Sequence, residues 1–211
     1  MNNHFPVLPN SNVSDRVNQA ILTGMELQPE NRPQSVSEWL QLLVPQNSTD
    51  DLSSECGIDY RRLRDLLAAG EWEKADQETA NKMLAVIGKT EWWDVYREDI
   101  EIFPCTDLRT IDRLWVKYSN GRFGFSVQKR IWQSVGGQPG VEIDYDIFEK
   151  LGDMLGWRRK NGEWLSYQEL TFSPKAPLGH LPNVGFGDCW VGGGRRRYFL
   201  YFFSRIETYE M

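Results

Sequence analysis

The sequence predicts an all-α fold, and three observations carry that reading. Apolar residues recur at three- and four-residue spacing in five stretches between residues 58 and 156. A glycine or an Asn-Gly pair follows each stretch, where the left-handed turn that ends a helix favours glycine. Beyond residue 157 the periodicity stops. Residues 158–194 hold three prolines and seven glycines among Trp164, Tyr167, Leu170, Phe172, Leu178, Leu181, Phe186 and Trp190. That mixture describes a long loop packed by its own side chains, a kind that often carries function.

Residues 1–14 are polar, with two prolines and four asparagines, and read as a disordered arm. Ser14 or Asp15 can cap a short helix with Val17, Ile21, Leu22 and Met25 on one face, broken by the run from Gln28 to Pro33. Ser35 and Glu38 form a capping box for a second short helix with Val36, Trp39, Leu40, Leu42 and Leu43; this front segment spans residues 15–44. Residues 45–57, polar and without period, read as a linker, and a domain over 58–211 follows.

Within that domain Tyr60, Leu63, Leu66 and Leu67 form the first stripe, stopped by Gly70. Trp72, Ala75, Thr79, Met83 and Val86 form the second, ended by Gly88. Asp107 is expected to cap a third helix with Leu108, Ile111, Leu114, Trp115 and Tyr118 inward, before the Asn120-Gly121 turn. Val127, Ile131, Trp132 and Val135 precede Gly136-Gly137, and Tyr145, Phe148, Leu151 and Leu155 precede Gly156. The end, from Arg195 to Met211, fits a strand or a helix equally.

Composition excludes several functions. Net charge is −6, with 24 basic and 30 acidic residues, which argues against a nucleic-acid binder. No apolar run reaches the roughly 20 residues of a membrane span. The N-terminus lacks a secretory pattern, so the expected location is cytoplasmic, with peripheral membrane contact left open. Three scattered cysteines and two histidines exclude a disulfide framework and a His-built metal centre. Gly192-Gly193-Gly194 lacks the lysine of a phosphate loop, and no nucleophile elbow occurs. His180 reads as a polar member of its loop rather than a catalytic base, and no catalytic or metal residue is assigned. The nine Trp, eight Tyr and ten Phe residues fit either a bulky core or a cleft for a flat ligand.

Two resemblances add to this. Val17–Met25 with Pro29-Glu30-Asn31-Arg32-Pro33-Gln34-Ser35 and Glu38-Trp39-Leu40 resembles the C-terminal helices of bacterial Ser/Thr protein kinases. The Gly-rich loop, the β3 lysine, H-R-D and D-F-G are absent, so kinase activity is excluded. The segment looks like a leftover or a detached docking piece, and an adaptor partnered with a Ser/Thr kinase is the alternative reading of the chain.

The second resemblance rests on Trp72–Thr79, Ile102-Phe103-Pro104, Asp107–Trp115, the block Tyr118-Ser119-Asn120-Gly121-Arg122-Phe123-Gly124-Phe125-Ser126-Val127-Gln128, Leu155-Gly156-Trp157, and Ala176-Pro177-Leu178-Gly179-His180-Leu181-Pro182. Over residues 58–182 these look like the Genomes Uncoupled Four family of porphyrin-binding regulators. The resemblance implies a compact helical "cupped hand" with long packed loops and no catalysis of its own. Its implied ligand is protoporphyrin IX or magnesium protoporphyrin IX, or a linear bilin such as phycocyanobilin. Its implied partner is the large porphyrin-binding subunit of magnesium chelatase, in chlorophyll biosynthesis. Two loops would grip the macrocycle. Residues 88–104 would offer Trp92, Trp93, Ile102 and Phe103; residues 164–182 would offer Leu170, Phe172, Leu178 and Leu181. Arg122, Phe123, Lys129 and Arg130 lie between, the cations as candidates for the propionates. The chain departs where chelatase activators usually carry Gly-Phe-Thr-Trp: here Glu169-Leu170-Thr171-Phe172 stands, and residues 138–144 lengthen one connection.

Overall fold

The computed structural model describes residues 21–35, 38–39, 50–138, 144–184 and 203. The expected arm over 1–14, the start of the first helix, residues 40–43, most of the 138–144 insert and the tail beyond residue 184 except Phe203 lie outside the described residues. The chain divides into two units, Met1–Asp50 and Asp51–Met211.

In the first unit residues 21–24 are helical, and the expected apolar face of Ile21, Leu22 and Met25 is exposed. A 3-10 turn at Pro29–Asn31 falls where the break is expected. Arg32 Nε donates to the Glu26 carbonyl at 2.6 Å. Ser35 Oγ accepts from Glu38 N at 3.1 Å, and the Glu38 carboxylate accepts from Gln34 N at 2.6 Å. The capping exchange thus lands one residue earlier than the standard box.

The described part of the second unit is helical. Its helices are α1 (Arg61–Ala68), α2 (Trp72–Val86), α3 (Arg97–Glu101), α4 (Cys105–Tyr118), α5 (Phe125–Ser134) and α6 (Tyr145–Leu155). An isolated bridge between Arg158 and Trp164 is the one strand-like pairing among the described residues. Each expected glycine stop is used. After α1, Gly70 adopts φ +71°, Gly70 N donates to the Leu67 carbonyl and Glu71 N to the Leu66 carbonyl. This paired closure repeats after α2 at Gly88 and after α5 at Gly136, so the helix ends leave few orphan carbonyls. α3 was not foreseen. Its N-cap is Tyr96, a residue type that gives no capping signal, and Asp99 closes the box onto Tyr96 N at 2.8 Å.

The core centres on α4. Trp115 is fully buried and lies 6.1 Å from the Trp72 ring and 6.4 Å from the Phe123 ring. Its indole Nε1 donates to Thr79 Oγ1 at 2.9 Å, so the ring's polar edge is satisfied. α4 begins at Cys105 with Pro104 as its N-cap, which corrects the expectation that Asp107 caps it. Asp107 sits inside the first turn, buried, and accepts from Ser54 Oγ (2.5 Å), Glu55 N (2.9 Å) and Tyr60 Oη (2.9 Å). Thr110 Oγ1 donates to the Ser53 carbonyl and Arg113 pairs with Asp51. Residues 51–57, read as the end of a linker, are therefore bound along α4 within the second unit. Among the described residues no helix is long and apolar enough to cross a membrane.

Trp115→Ala should lower unfolding stability by about 3–5 kcal/mol in a denaturant titration, since a buried indole and its hydrogen bond are both lost. Asp107→Ala should cost at least about 2 kcal/mol by stranding the buried Tyr60 hydroxyl, and should admit protease between residues 51 and 57. Asp107→Asn, which keeps an acceptor, should cost less.

Candidate ligand site

The first loop, residues 88–104, is a short structured excursion. A 3-10 turn at Trp92–Asp94 leads into α3. Lys89 Nζ lies 3.6 Å from both Asp94 and Asp99 and 5.5 Å from the Tyr96 ring centre, which folds the segment around one cation. Val95, Ile100 and Phe103 are buried and pin the loop to the core. The intervening side chains do the opposite: Trp93 is 61%, Tyr96 53% and Ile102 75% exposed. Large apolar groups held in water by a pinned backbone are open to a partner or ligand.

The second loop, residues 157–184, is bound to the helices by buried polar groups. Trp157 Nε1 donates to the His180 carbonyl at 2.9 Å. The His180 ring is buried, with Nδ1 2.7 Å from the Leu155 carbonyl and Nε2 accepting from Thr171 N at 3.1 Å. These partners require the neutral tautomer with Nδ1 protonated, and burial lowers the imidazole's pKa. Both nitrogens are committed to holding the loop. Phe148 stacks on Trp164 at 5.0 Å, and Arg158 covers the same indole at 5.3 Å.

The Ser119–Gln128 block is the clamp between these parts. Ser119 Oγ accepts from Phe123 N, and Phe123 fills the core. Gly124 adopts φ +131°, where an added Cβ would meet Asp112 Oδ1 and Val116 Cγ2 at 2.8 Å. Buried Asp112 accepts from Ser126 N at 2.9 Å, fixing the start of α5. The far end of the block then grips the second loop. Gln128 Nε2 donates to the carbonyls of Gly179 (2.9 Å) and Pro182 (2.8 Å), Gly124 N to that of Leu181 (3.0 Å), and Gly179 N to that of Arg122 (2.8 Å). Ser119, Gly124, Gln128 and Gly179 of the two motif blocks thus serve as structural joints.

The expected site residues therefore divide. Trp93, Ile102, Leu178 and Arg130 are exposed; Trp92, Phe172, Arg122 and Lys129 are half-buried. Phe103, Phe123, Leu170 and Leu181 are buried and act as core, so their contribution is to hold the loops rather than to offer a surface. Arg122 spends one guanidinium nitrogen on the Ala176 carbonyl at 2.7 Å, with its plane 6.0 Å from the Phe123 ring. It splints the second loop, which narrows the expectation that it awaits a propionate. Glu169, expected to alter the ligand surface, accepts from Ser166 N and Oγ at 2.9 Å and pairs with Arg159. The block around Arg122 and the second loop are brought together by these bonds. Sequence reasoning missed Asp76, a buried acid next to the α2 stripe that accepts from Tyr167 Oη (3.0 Å) and Asn183 N (2.6 Å). Its signals were its place within the Trp72–Thr79 block and between the inward positions Ala75 and Thr79.

A family model described as GUN4-like matches residues 53–191. A Ycf53-like protein of Synechocystis is 38% identical over 136 residues, covering 62% of this chain and 53% of that protein. The tetrapyrrole-binding protein, chloroplastic, of Arabidopsis thaliana is 28% identical over 131 residues, covering 57% and 46%. The chain spans about half the length of the curated relatives it matches. The solved structure of GUN4 from Chlamydomonas reinhardtii superposes with a TM-score of 0.54 at 32% identity, over 72% of this chain and 92% of that one. The ligand-free Arabidopsis GUN4 structure, 23% identical, gives the same score and supports the fold. With the helical architecture and the family model agreeing over most of the second unit, the chain belongs to the GUN4-like family.

Proposed function

We propose that the chain is a non-catalytic, tetrapyrrole-binding regulatory protein. The observation that carries this is the exposure of Trp93, Tyr96 and Ile102 on a loop pinned by Val95, Ile100 and Phe103. A tetrapyrrole is a flat apolar disc with anionic propionates at one edge, and it needs a mostly apolar surface with a few cations at its rim. The first loop supplies the apolar surface. Leu178, 49% exposed, and half-buried Phe172 supply a second one on a loop that is equally well fastened. Arg122, which already donates to the Ala176 carbonyl, and Lys129 and Arg130 on α5 are the candidates for the propionates. The name of the Arabidopsis relative points to the same ligand class. A link to the large subunit of magnesium chelatase is part of the proposal through the family resemblance alone. No acid–base pair is assigned, because the candidate His180 has both ring nitrogens committed.

Fluorescence-quenching titrations with protoporphyrin IX, its magnesium form and phycocyanobilin test this reading. Saturable binding of at least one at micromolar concentration is expected; no binding of any of the three would overturn it. Trp93→Ala and Ile102→Ala should each weaken that binding at least about threefold with an unchanged melting temperature, because exposed side chains add little to the fold. Phe103→Ala should instead cost about 3–5 kcal/mol of stability. Phe172→Ala should weaken affinity by a larger factor than it lowers stability, and an equal loss of both would assign Phe172 to the core.

A further inference from the structure

The first loop sets its exposed apolar side chains among acids. Residues 88–104 hold Glu91, Asp94, Glu98, Asp99 and Glu101 against Lys89 and Arg97, a net charge of −3. Both cations are spent inside the loop. Lys89 Nζ lies 3.6 Å from Asp94 and from Asp99, and Arg97 pairs with Glu101 at 2.5 Å. The carboxylates of Glu91 and Glu98 are exposed and have no hydrogen-bond or ion-pair partner among the described residues. Glu98 lies one helical turn before Ile102, whose N–H donates to the Glu98 carbonyl at 3.2 Å, so the two side chains share a face. Glu91 immediately precedes Trp92 and Trp93, and its side chain makes no capping bond to their turn. Charge runs the other way further along the chain. Residues 114–138 hold Lys117, Arg122, Lys129 and Arg130 and no acid, and three of these are the cations proposed for the propionates.

We propose that Glu91 and Glu98 are specificity-determining residues: they reject carboxylates at the first loop, so the site takes tetrapyrroles whose carboxylates lie along one edge only. The inference rests on the proposed function, since it names which tetrapyrroles that same site accepts. Its physics is like-charge repulsion. A propionate is ionised at neutral pH, and placing it beside Ile102 or Trp93 sets it against a carboxylate that no cation of the loop neutralises. The flat ring displaces water from the same place, which strengthens the repulsion. The uncharged edge of protoporphyrin IX meets Trp93, Tyr96 and Ile102 without that cost. Its propionates are then left for the acid-free stretch, where the sign of the charge suits them. Coproporphyrin III carries a propionate on every pyrrole ring and cannot keep all of them away from the first loop. An unfavourable contact of this kind separates ligands that an apolar surface alone would hold alike.

Quenching titrations of the full chain with protoporphyrin IX, its uncharged dimethyl ester and coproporphyrin III test the assignment. Protoporphyrin IX should bind at least about tenfold more tightly than coproporphyrin III at low salt, and salt should shrink the gap by screening exposed charges. Glu91→Gln combined with Glu98→Gln keeps the side-chain size and should narrow the gap at least about threefold, with an unchanged melting temperature. Glu98→Lys should narrow it further. The ester has no charge to repel, so its affinity should stay within about twofold across these variants. Equal affinities for protoporphyrin IX and coproporphyrin III in the unmodified chain would overturn the proposal. So would a gap that the glutamine pair leaves unchanged, or an ester affinity that rises as much as that of coproporphyrin III. Failure of protoporphyrin IX and its ester alike to bind would sink the ligand reading and the selectivity with it. Binding of both, with no effect of Glu91 and Glu98, would remove the selectivity alone.

Discussion

Three buried aspartates, each on or inside a helix, hold the irregular parts of this domain in place. Asp107 takes in residues 54–60, Asp112 fixes the start of α5, and Asp76 fastens Tyr167 and the end of the second loop at Asn183. A domain with loops this long must satisfy many backbone N–H groups away from water, because a buried orphan donor costs about as much as a lost hydrogen bond. A carboxylate can accept several donors at once, so one acid replaces a turn of regular structure. The cost is desolvation, and it shows: burial pushes the Asp76 and Asp112 carboxyls upward.

This fastening explains how apolar side chains can stand in water without collapsing onto the core. Trp93, Tyr96 and Ile102 alternate with buried Val95, Ile100 and Phe103, so the backbone is held by one set while the other set faces out. The second loop is built the same way: Leu181 and His180 are buried, while Leu178 is exposed beside them. A surface prepared in this manner loses little conformational entropy when a rigid flat ligand settles on it.

The helices were legible in the sequence because their signals are local. Gly70, Gly88, Gly136 and Gly156 each take the positive φ that their place after an apolar stripe implies. Contacts between groups far apart in sequence leave no such local signal. Asp107 resembles an N-cap, and nothing nearby shows that its partners are Ser54 and Tyr60. Arg122, expected at the ligand's rim, also donates to the Ala176 carbonyl 54 residues away, a contact no local pattern announces. The candidate site's two loops were proposed through a family resemblance. Which side chains face water was not, because Phe103 and Ile102 are neighbours of similar character with opposite exposure.

The central claim is that these two loops bind a tetrapyrrole. Hydrogen exchange with and without saturating protoporphyrin IX, magnesium protoporphyrin IX or phycocyanobilin tests it most directly. The account predicts that the bound tetrapyrrole slows exchange chiefly within residues 88–104 and 164–182, with α4 unchanged. Protection confined to other parts of the chain, or no protection under any of the three ligands, would contradict it.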